Sequence, residues 1–239
     1  MLVQLNQVSK QYGRDKILNN VTMTFVPGKF YGLIGPNGSG KSTALKLIAG
    51  LASPDSGAVQ IGETHASRRM CRSVSYLPEL DMIYPGMTLE QLLTFYESQF
   101  EDFDTVKARK LAEELKVHTN KKMLHLSKGG RGRVKLILAM ARTAPILLLD
   151  EPLSGLDPLI RESIVQSLLK YIDLEKQTVI MATHEIAEIE ALLDEVAAIY
   201  KGELIGMEAA EHIRETEGIS IVEWFKQTVM FHEQKEMNK

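Results

Sequence analysis

The chain has little that would place it across a membrane or in an oxidising compartment. Cys71 is its single cysteine, which excludes an intrachain disulfide or a zinc site built from several thiolates and is typical of a reducing compartment. No apolar run approaches the roughly 20 residues that span a bilayer. Residues 1–6 lack the basic region and long apolar core of a secretory signal. Action at a membrane would therefore require a partner that recruits the chain.

The chain also has no strong excess of charge, no internal repeat and no low-complexity segment. A formal net charge of −3 predicts no strong attraction to nucleic acid or to an anionic membrane surface. Hydrophobic residues make up 44% and charged residues 25%, which is ordinary for a soluble globular protein with a sizeable core. The length of 239 residues predicts one large domain, or a core with a subdomain.

A glycine-rich stretch carries the strongest chemical signal. Residues 35–43 match GxxxxGK[ST], between an apolar run at 30–34 and a helical pattern at 44–49. Backbone N–H groups of such a loop, with the helix N-terminus, bind phosphate oxygens. Lys41 can reach the β- and γ-phosphates of a nucleotide, and Ser42 can offer a hydroxyl to Mg²⁺. The predicted nucleotide-binding residues are Gly35, Asn37, Gly38, Ser39, Gly40, Lys41, Ser42 and Thr43.

Two adjacent acids form the second element of the predicted site. The apolar run 146–149 is typical of a strand buried on both faces, and it ends in Asp150 and Glu151. Ligands bind at the carboxyl ends of strands in α/β sheets. Asp150 is placed to hold Mg²⁺, and Glu151 to act as general base on an attacking water. The alternative is that both acids cap the following turn.

Strand patterns dominate both ends of the chain, and helical patterns its middle. Thr88 with Gln91 forms a capping box, and Asp104 caps a further helix, so residues of about 80–142 read as a helical insertion. Asp157 followed by Pro158 predicts another helix start. Strands are predicted at 2–8, 21–25, 30–34, 58–61, 73–77, 146–149 and 178–182, with a closing hairpin over 196–206 and a capped helix after Ser220.

In this order, the motifs resemble the ATP-binding subunit of an ABC (ATP-binding cassette) transporter over roughly residues 1–208. Leu126-Ser-Lys-Gly-Gly stands where that family has LSGGQ, 24 residues before Asp150. Lys128 and Gly130 depart from the family motif, whereas Ser127 and Gly129 keep it. Alone, this pentapeptide is more typical of a helix cap on a surface turn. The resemblance implies that Ser127 and Gly129 bind the γ-phosphate held by a second subunit.

The resemblance assigns four further residues. Tyr12 stands where an aromatic ring stacks on adenine, Asp157 ends a Ser-Gly-Leu-Asp loop that communicates across the dimer, and His184 matches a histidine that contacts the γ-phosphate. Glu79 replaces the family's glutamine, and its carboxylate can still coordinate Mg²⁺ or orient water. We assign Glu79 as the coupling residue, with Glu151 and His184 as catalytic residues. Without the resemblance, Tyr12 would read as core, Asp157 as a helix cap and His184 as structural.

The implied fold is an α/β P-loop NTPase core with a mainly parallel sheet, an N-terminal antiparallel β subdomain and an inserted helical subdomain. The expected division is a nucleotide-binding core at 1–79 and 143–208, a helical subdomain with the signature motif at 80–142 and a C-terminal helical tail at 209–239. That last helix either braces the dimer or packs on its own core. ATP and Mg²⁺ are the implied cofactors, with metal contacts from Ser42, Glu79 and Asp150.

The implied function is ATP hydrolysis that drives a separate membrane permease. Two ATP-binding subunits close head to tail around two ATP molecules, on the cytoplasmic face of the membrane, and the chain is cytoplasmic when free. We expect no nucleic-acid partner and no direct membrane insertion. Tyr-Leu-Pro-Glu at 76–79 and Ser-Lys-Gly at 127–129 resemble the ABC-2 type exporter ATPases, which favours export. A soluble ABC ATPase and a regulatory cassette with little turnover are the alternatives.

Overall fold

The computed structural model describes residues 1–79 and 84–237, so the first residues of the expected helical subdomain and the end of the expected tail lie outside the described residues. The strands are β1 Val3–Tyr12, β2 Asp15–Phe25, β3 Phe30–Ile34, β4 Ser56–Ile61, β5 Thr64–His65, β6 Val74–Leu77, β7 Ile146–Asp150, β8 Thr178–Thr183, β9 Glu195–Tyr200 and β10 Glu203–Ala209. The α-helices are α1 Lys41–Ile48, α2 Leu89–Gln99, α3 Thr105–Glu114, α4 Lys128–Met140, α5 Pro158–Tyr171, α6 Ile186–Ile189 and α7 Ile221–Met237. Short 3₁₀ turns cover Arg68–Arg72, Met123–His125 and Glu190–Leu192, and a π-helical turn covers His212–Thr216.

The larger sheet runs in the order β10-β9-β3-β8-β7-β6. Strands β9, β3, β8, β7 and β6 are parallel, and β10 closes the edge as an antiparallel hairpin with β9. Every residue of β3, β7 and β8 is buried, as their continuous apolar sequences predict for strands covered on both faces. The carboxyl ends of β3, β8, β7 and β6 therefore meet side by side at one edge.

The smaller sheet is antiparallel, in the order β2-β1-β4-β5, and the predicted fold class is confirmed. The first two strands are longer than the predicted strands at 2–8 and 21–25. The reason is local, because register shifts interrupt the β1–β2 pairing after Leu5, Val8 and Lys10 and break the strict alternation of apolar residues. The apolar alternation therefore does not predict the outer part of either strand, although the backbone pairing continues to Tyr12 and Asp15.

Helices α2, α3 and α4 pack together between β6 and β7 and form what we call the helical segment (residues 84–142). The predicted caps are confirmed: Thr88 and Gln91 form a reciprocal capping box, and the Asp104 side chain accepts from the Lys107 N–H at 2.8 Å. Arg142 anchors this segment to the core. Its guanidinium binds both carboxylate oxygens of Asp102 and donates to the Val74 carbonyl at 3.2 Å.

The C-terminal helix α7 packs on its own chain. Ile221 and Trp224 are buried, and the Trp224 ring lies against Gly206 of β10, where an added Cβ would come within 3.1 Å of it. Ser220 and Glu223 form the predicted capping box. No helix among the described residues is both long enough and apolar enough to cross a bilayer.

Candidate nucleotide site

The phosphate loop is held open by two glycines that no other residue could replace without a clash. A Cβ on Gly35 would lie 2.1 Å from the Ile199 carbonyl oxygen. Gly40 has a φ of 109°, and its Cβ would meet the Ile17 carbonyl oxygen at 2.8 Å. Gly40 opens α1 without any side-chain cap, so the first N–H groups of that helix remain directed into the loop. Such unsatisfied N–H groups are the usual donors to phosphate.

Lys41 and Ser39 give this loop its buried polar atoms. The Lys41 ammonium donates to the Gly35 carbonyl at 2.8 Å and to the Pro36 carbonyl at 3.1 Å, although the residue is only 4% exposed. The Ser39 hydroxyl is buried and has no hydrogen-bond partner among residues 1–79 and 84–237. A buried hydroxyl and a buried ammonium at a helix N-terminus suit a phosphate.

We expect Lys41→Met to weaken ATP binding about tenfold to a hundredfold, because it removes a charged hydrogen-bond donor from a desolvated site. Titration with a fluorescent ATP analogue measures the change. Lys46→Met, on the same helix but in its last turn, is the matched control and should bind ATP within about twofold of the original chain. Equal effects in the two variants would contradict this role for Lys41.

Asp150 joins the end of β7 to the phosphate loop and to β6. Ser42 donates to one carboxylate oxygen at 2.8 Å, and the Tyr76 phenol donates to the other at 3.1 Å. Burial raises the pKa of Asp150 above its ordinary value, and the two donated hydrogen bonds only partly offset that shift. Burial, together with the Asp150 charge, also raises the pKa of Tyr76, which keeps the phenol protonated as a donor.

Glu151 is held in a strained backbone conformation between a lysine and a histidine. Its φ of 48° lies in the left-handed region, which is uncommon for residues other than glycine and clusters at functional sites. One carboxylate oxygen lies 3.4 Å from the Lys41 ammonium, and the other lies 2.9 Å from Nδ1 of His184. Because an ionised carboxylate only accepts, this contact favours the His184 tautomer with a proton on Nδ1.

Glu79 faces the same edge of the sheet, after the end of β6. A cavity of about 260 Å³ lies between Glu79, Asp150 and Glu151. Two cationic side chains of helix α4, Lys128 and Lys135, complete its wall. Three carboxylates and two ammonium groups thus surround a space large enough for several water molecules.

The signature residues lie at the start of α4. The Ser127 hydroxyl accepts from the Gly130 N–H at 3.1 Å, so it caps the helix, and Gly129 packs against the Leu156 side chain. Asp157 caps α5 by accepting from the Ile160 N–H at 3.1 Å.

Tyr12 ends β1 and is 49% exposed, which excludes the alternative that it is a core residue. The Lys10 ammonium lies 5.4 Å from its ring centroid. The following strand, β2, carries Ile17 and Leu18 against Gly40 of the phosphate loop. The hairpin therefore packs on the loop through β2 and carries an accessible aromatic ring at the end of β1.

A family model described as "ABC transporter" matches residues 18–154, more than half of the chain. The chain belongs to the ABC transporter family. A second model, described as "AAA domain, putative AbiEii toxin, Type IV TA system", matches the smaller range 124–190 of the cassette. The resemblance that the motifs indicated is confirmed, and the cassette is an ATP-binding ATPase.

Relatives and solved structures cover nearly the whole cassette. Nod factor export ATP-binding protein I of Burkholderia orbicola (strain AU 1054) is 34% identical, over 92% of this chain and 75% of the relative. Lantibiotic transport ATP-binding protein SrtF of Streptococcus pyogenes is 30% identical, over 85% of this chain and 89% of the relative. An ATP-binding subunit of an ABC transporter superposes with a TM-score of 0.83 at 26% identity, covering 96% of this chain and all of that one. A dimeric, post-hydrolysis cassette bound to ADP and Pi has a TM-score of 0.77 at 26% identity, covering 87% and 98%.

Two residues of the cassette site were not among the sequence predictions. Tyr76 donates to Asp150. The feature that could have indicated this is its position in β6, where it pairs with Leu148 of β7, the strand that carries Asp150. Lys135 donates to the Pro78 and Glu79 carbonyls, and its signal was a lysine in the otherwise apolar run Val134–Ala141. Neither signal is specific without the pairing of β6 with β7.

Replacing Asp150 by asparagine should stabilise the nucleotide-free cassette at neutral pH. The pKa of Asp150 is raised in the folded state, so its ionisation costs stability as the pH rises from the ordinary value of 3.8 to the raised one. Asparagine escapes this cost and can still accept from Ser42. Urea unfolding should show the stability of the variant, relative to the original chain, rising as the pH is raised from about 3.5 to about 7. A difference that does not change with pH would contradict the assignment.

Proposed function

We propose that this chain is the ATP-hydrolysing subunit of an ABC exporter, closing head to tail with a second ATP-binding subunit and driving a separate membrane permease. The observation that carries this proposal is the position of Glu151, within 3.4 Å of the Lys41 ammonium and 2.9 Å of the His184 ring. A carboxylate held between the phosphate-binding lysine and a histidine is placed to take a proton from a water that attacks the γ-phosphate.

The metal assignment rests on oxygen donors. Asp150 and Ser42 bring a carboxylate and a hydroxyl within 2.8 Å of one another, and Glu79 lines the adjoining cavity. These are hard oxygen ligands that suit Mg²⁺, which supplies charge neutralisation at the phosphates when bound. Among the described residues, no cluster of three histidine, cysteine, aspartate or glutamate side chains could hold a metal. That agrees with a cation bound by one or two carboxylates and the phosphates of its substrate.

Each remaining predicted residue receives a role in the closed dimer. Ser127 and Gly129 would bind the γ-phosphate of the nucleotide on the other subunit, and Asp157 would contact that subunit beside it. Tyr12 would stack on adenine with its exposed ring. Gly129 packs against Leu156, the residue before Asp157, which supports one continuous surface for these two motifs.

The permease would dock in a groove between the core and the helical segment. This groove, which we call the docking groove, is a cavity of about 250 Å³ whose walls are mainly apolar. Leu77 and Pro78 line its core side, and Tyr96 and Phe100 line its helical side. We accordingly propose the division into a core at 1–79 and 143–208, a helical subdomain at 80–142 and a C-terminal tail. A permease bound there would hold the cassette at the cytoplasmic face of the membrane.

Affinity capture tests this function. The Glu151→Gln variant is tagged and expressed in the native host, membranes are solubilised in mild detergent with ATP and Mg²⁺, and co-purifying proteins are identified. A stoichiometric polytopic membrane protein is the expected result. Recovery of soluble partners alone, with the cassette in the cytosolic fraction, would overturn the transport role in favour of a soluble clamp.

A further inference from the structure

Lys135 lies between the two cavities of the proposed machinery. It lines the docking groove together with Tyr96 and Phe100. It also lines the cavity between Glu79, Asp150 and Glu151, which we call the hydrolytic cavity. Leu77, the last residue of β6, also borders both spaces. The wall that separates the groove from the hydrolytic cavity is therefore built from the end of β6 and one side chain of α4.

The Lys135 ammonium joins this wall through two backbone carbonyls. It donates to the Pro78 carbonyl at 3.0 Å and to the Glu79 carbonyl at 2.9 Å. An ammonium carries three donors and no acceptor, so it can satisfy two carbonyls at once. These two bonds fix the backbone of Glu79 relative to α4, the helix that Ser127 begins.

We propose that Lys135 is the positioning residue that fixes Glu79 for Mg²⁺ and water and transmits occupation of the docking groove to the hydrolytic cavity. This inference rests on the proposed function. An occupant of the groove would contact Lys135, whose ammonium holds the Glu79 carbonyl. Displacement of Lys135 changes where the Glu79 carboxylate lies, without any change in Asp150 or Glu151.

The first test needs neither ATP nor metal. Hydrogen–deuterium exchange of the backbone amides over residues 74–79 in the full chain should accelerate at least about fivefold in Lys135→Ala, since both carbonyl tethers at the end of β6 are lost. Lys135→Arg, which restores donors for both carbonyls, should exchange within about twofold of the original chain. Lys110→Ala removes a lysine from neighbouring helix α3 and is the matched control. Unchanged exchange in Lys135→Ala would overturn the proposal.

The second test measures Mg²⁺-dependent hydrolysis. Lys135→Ala should raise the Mg²⁺ concentration for half-maximal activity about tenfold, the scale of a lost charged hydrogen bond. Glu79→Ala should raise it as well, and adding Lys135→Ala to Glu79→Ala should change it less than about twofold, because the two residues act through one position. A full additional effect in the double variant would overturn the proposal, since Lys135 would then act elsewhere.

Labelling of Cys71 tests whether occupation of the docking groove affects the hydrolytic cavity. It is exposed, lines the docking groove and is the single cysteine, so a fluorescein maleimide attaches there alone. Labelling should shift the Mg²⁺ concentration for half-maximal activity at least about threefold in the original chain. The same labelling should leave that concentration nearly unchanged in Lys135→Ala. Equal shifts in both, or no shift in either, would overturn transmission through Lys135. Cys71→Ser treated with the same reagent reports labelling elsewhere.

These outcomes separate the inference from the function on which it rests. A chain that hydrolyses no ATP at any Mg²⁺ concentration contradicts the proposed function, while amide exchange over residues 74–79 still decides whether Lys135 holds the backbone that carries Glu79. A chain that hydrolyses ATP with the same Mg²⁺ dependence in Lys135→Ala keeps the function and removes the inference. Thermal unfolding of each variant reports any general loss of structure.

Discussion

Glu151→Gln should lower the rate of ATP hydrolysis about a thousandfold and leave ATP binding intact, because glutamine keeps the shape of the side chain but cannot accept a proton. The glutamine oxygen can still accept a hydrogen bond from His184, which lies 2.9 Å from one carboxylate oxygen of Glu151. Phosphate release measures the rate, and a fluorescent ATP analogue measures binding. Size-exclusion chromatography with ATP should show a persistent dimer, since the bound nucleotide is not consumed.

Two further variants test the position of the carboxylate. Glu151→Asp withdraws the carboxylate by one methylene and should retain more activity than Glu151→Gln, because a base remains at a longer reach. Glu188→Gln alters an exposed carboxylate just beyond His184 that pairs with Arg161 at 3.2 Å, and its rate should stay within about twofold. A Glu151→Gln rate above about a tenth of the original would assign the base elsewhere.

Arg142→Met should lower the free energy of unfolding by about 3 kcal/mol, which is the lower end of the range for breaking a buried ion pair by removing one partner. The Arg142 side chain is 5% exposed and Asp102 is 24% exposed, so the carboxylate left behind recovers some hydration. The change also removes the bond to the Val74 carbonyl and a guanidinium whose centre lies 4.0 Å from the Phe100 ring centroid. Urea unfolding without nucleotide measures the loss.

The partner residue and an exposed pair provide the controls. Asp102→Asn added to Arg142→Met should recover part of the lost stability, because the unpaired charge is then removed. Arg109→Met breaks an exposed ion pair with Glu90 on neighbouring helices and should have a much smaller effect. Equal losses for Arg142→Met and Arg109→Met would contradict the anchoring role.

The sequence predicted those parts of the site that depend on the local chain. Gly40, Lys41 and Ser42 are adjacent, so their spacing alone predicts a phosphate loop between a strand and a helix. Asp150 and Glu151 were predictable because an apolar strand runs directly into two acids. The caps at Thr88, Asp104 and Asp157 are also local, since each involves a side chain and an N–H three residues on.

Contacts between distant segments were not predictable from the residues alone. The Asp150–Tyr76 bond joins residues 74 positions apart, and the Lys135–Pro78 bond joins residues 57 apart. Both depend on the pairing of β6 with β7 and on the packing of α4, which periodicity does not specify. The full length of the β1–β2 pair was not predicted either, because alternation of apolar residues is the signal for a strand and bulges interrupt it.

The back of the phosphate loop is joined by main-chain bonds to the turn between β9 and β10. The Gly202 N–H donates to the Ser39 carbonyl at 3.1 Å, and the Gly202 carbonyl accepts from the Asn19 N–H at 2.8 Å. A phosphate loop held in this way before ATP binds loses little conformational entropy on binding, so we expect it to stay fixed. Under the proposed function, movement on hydrolysis would fall on the parts that face this loop, so distance probes belong on the helical segment and not on the loop.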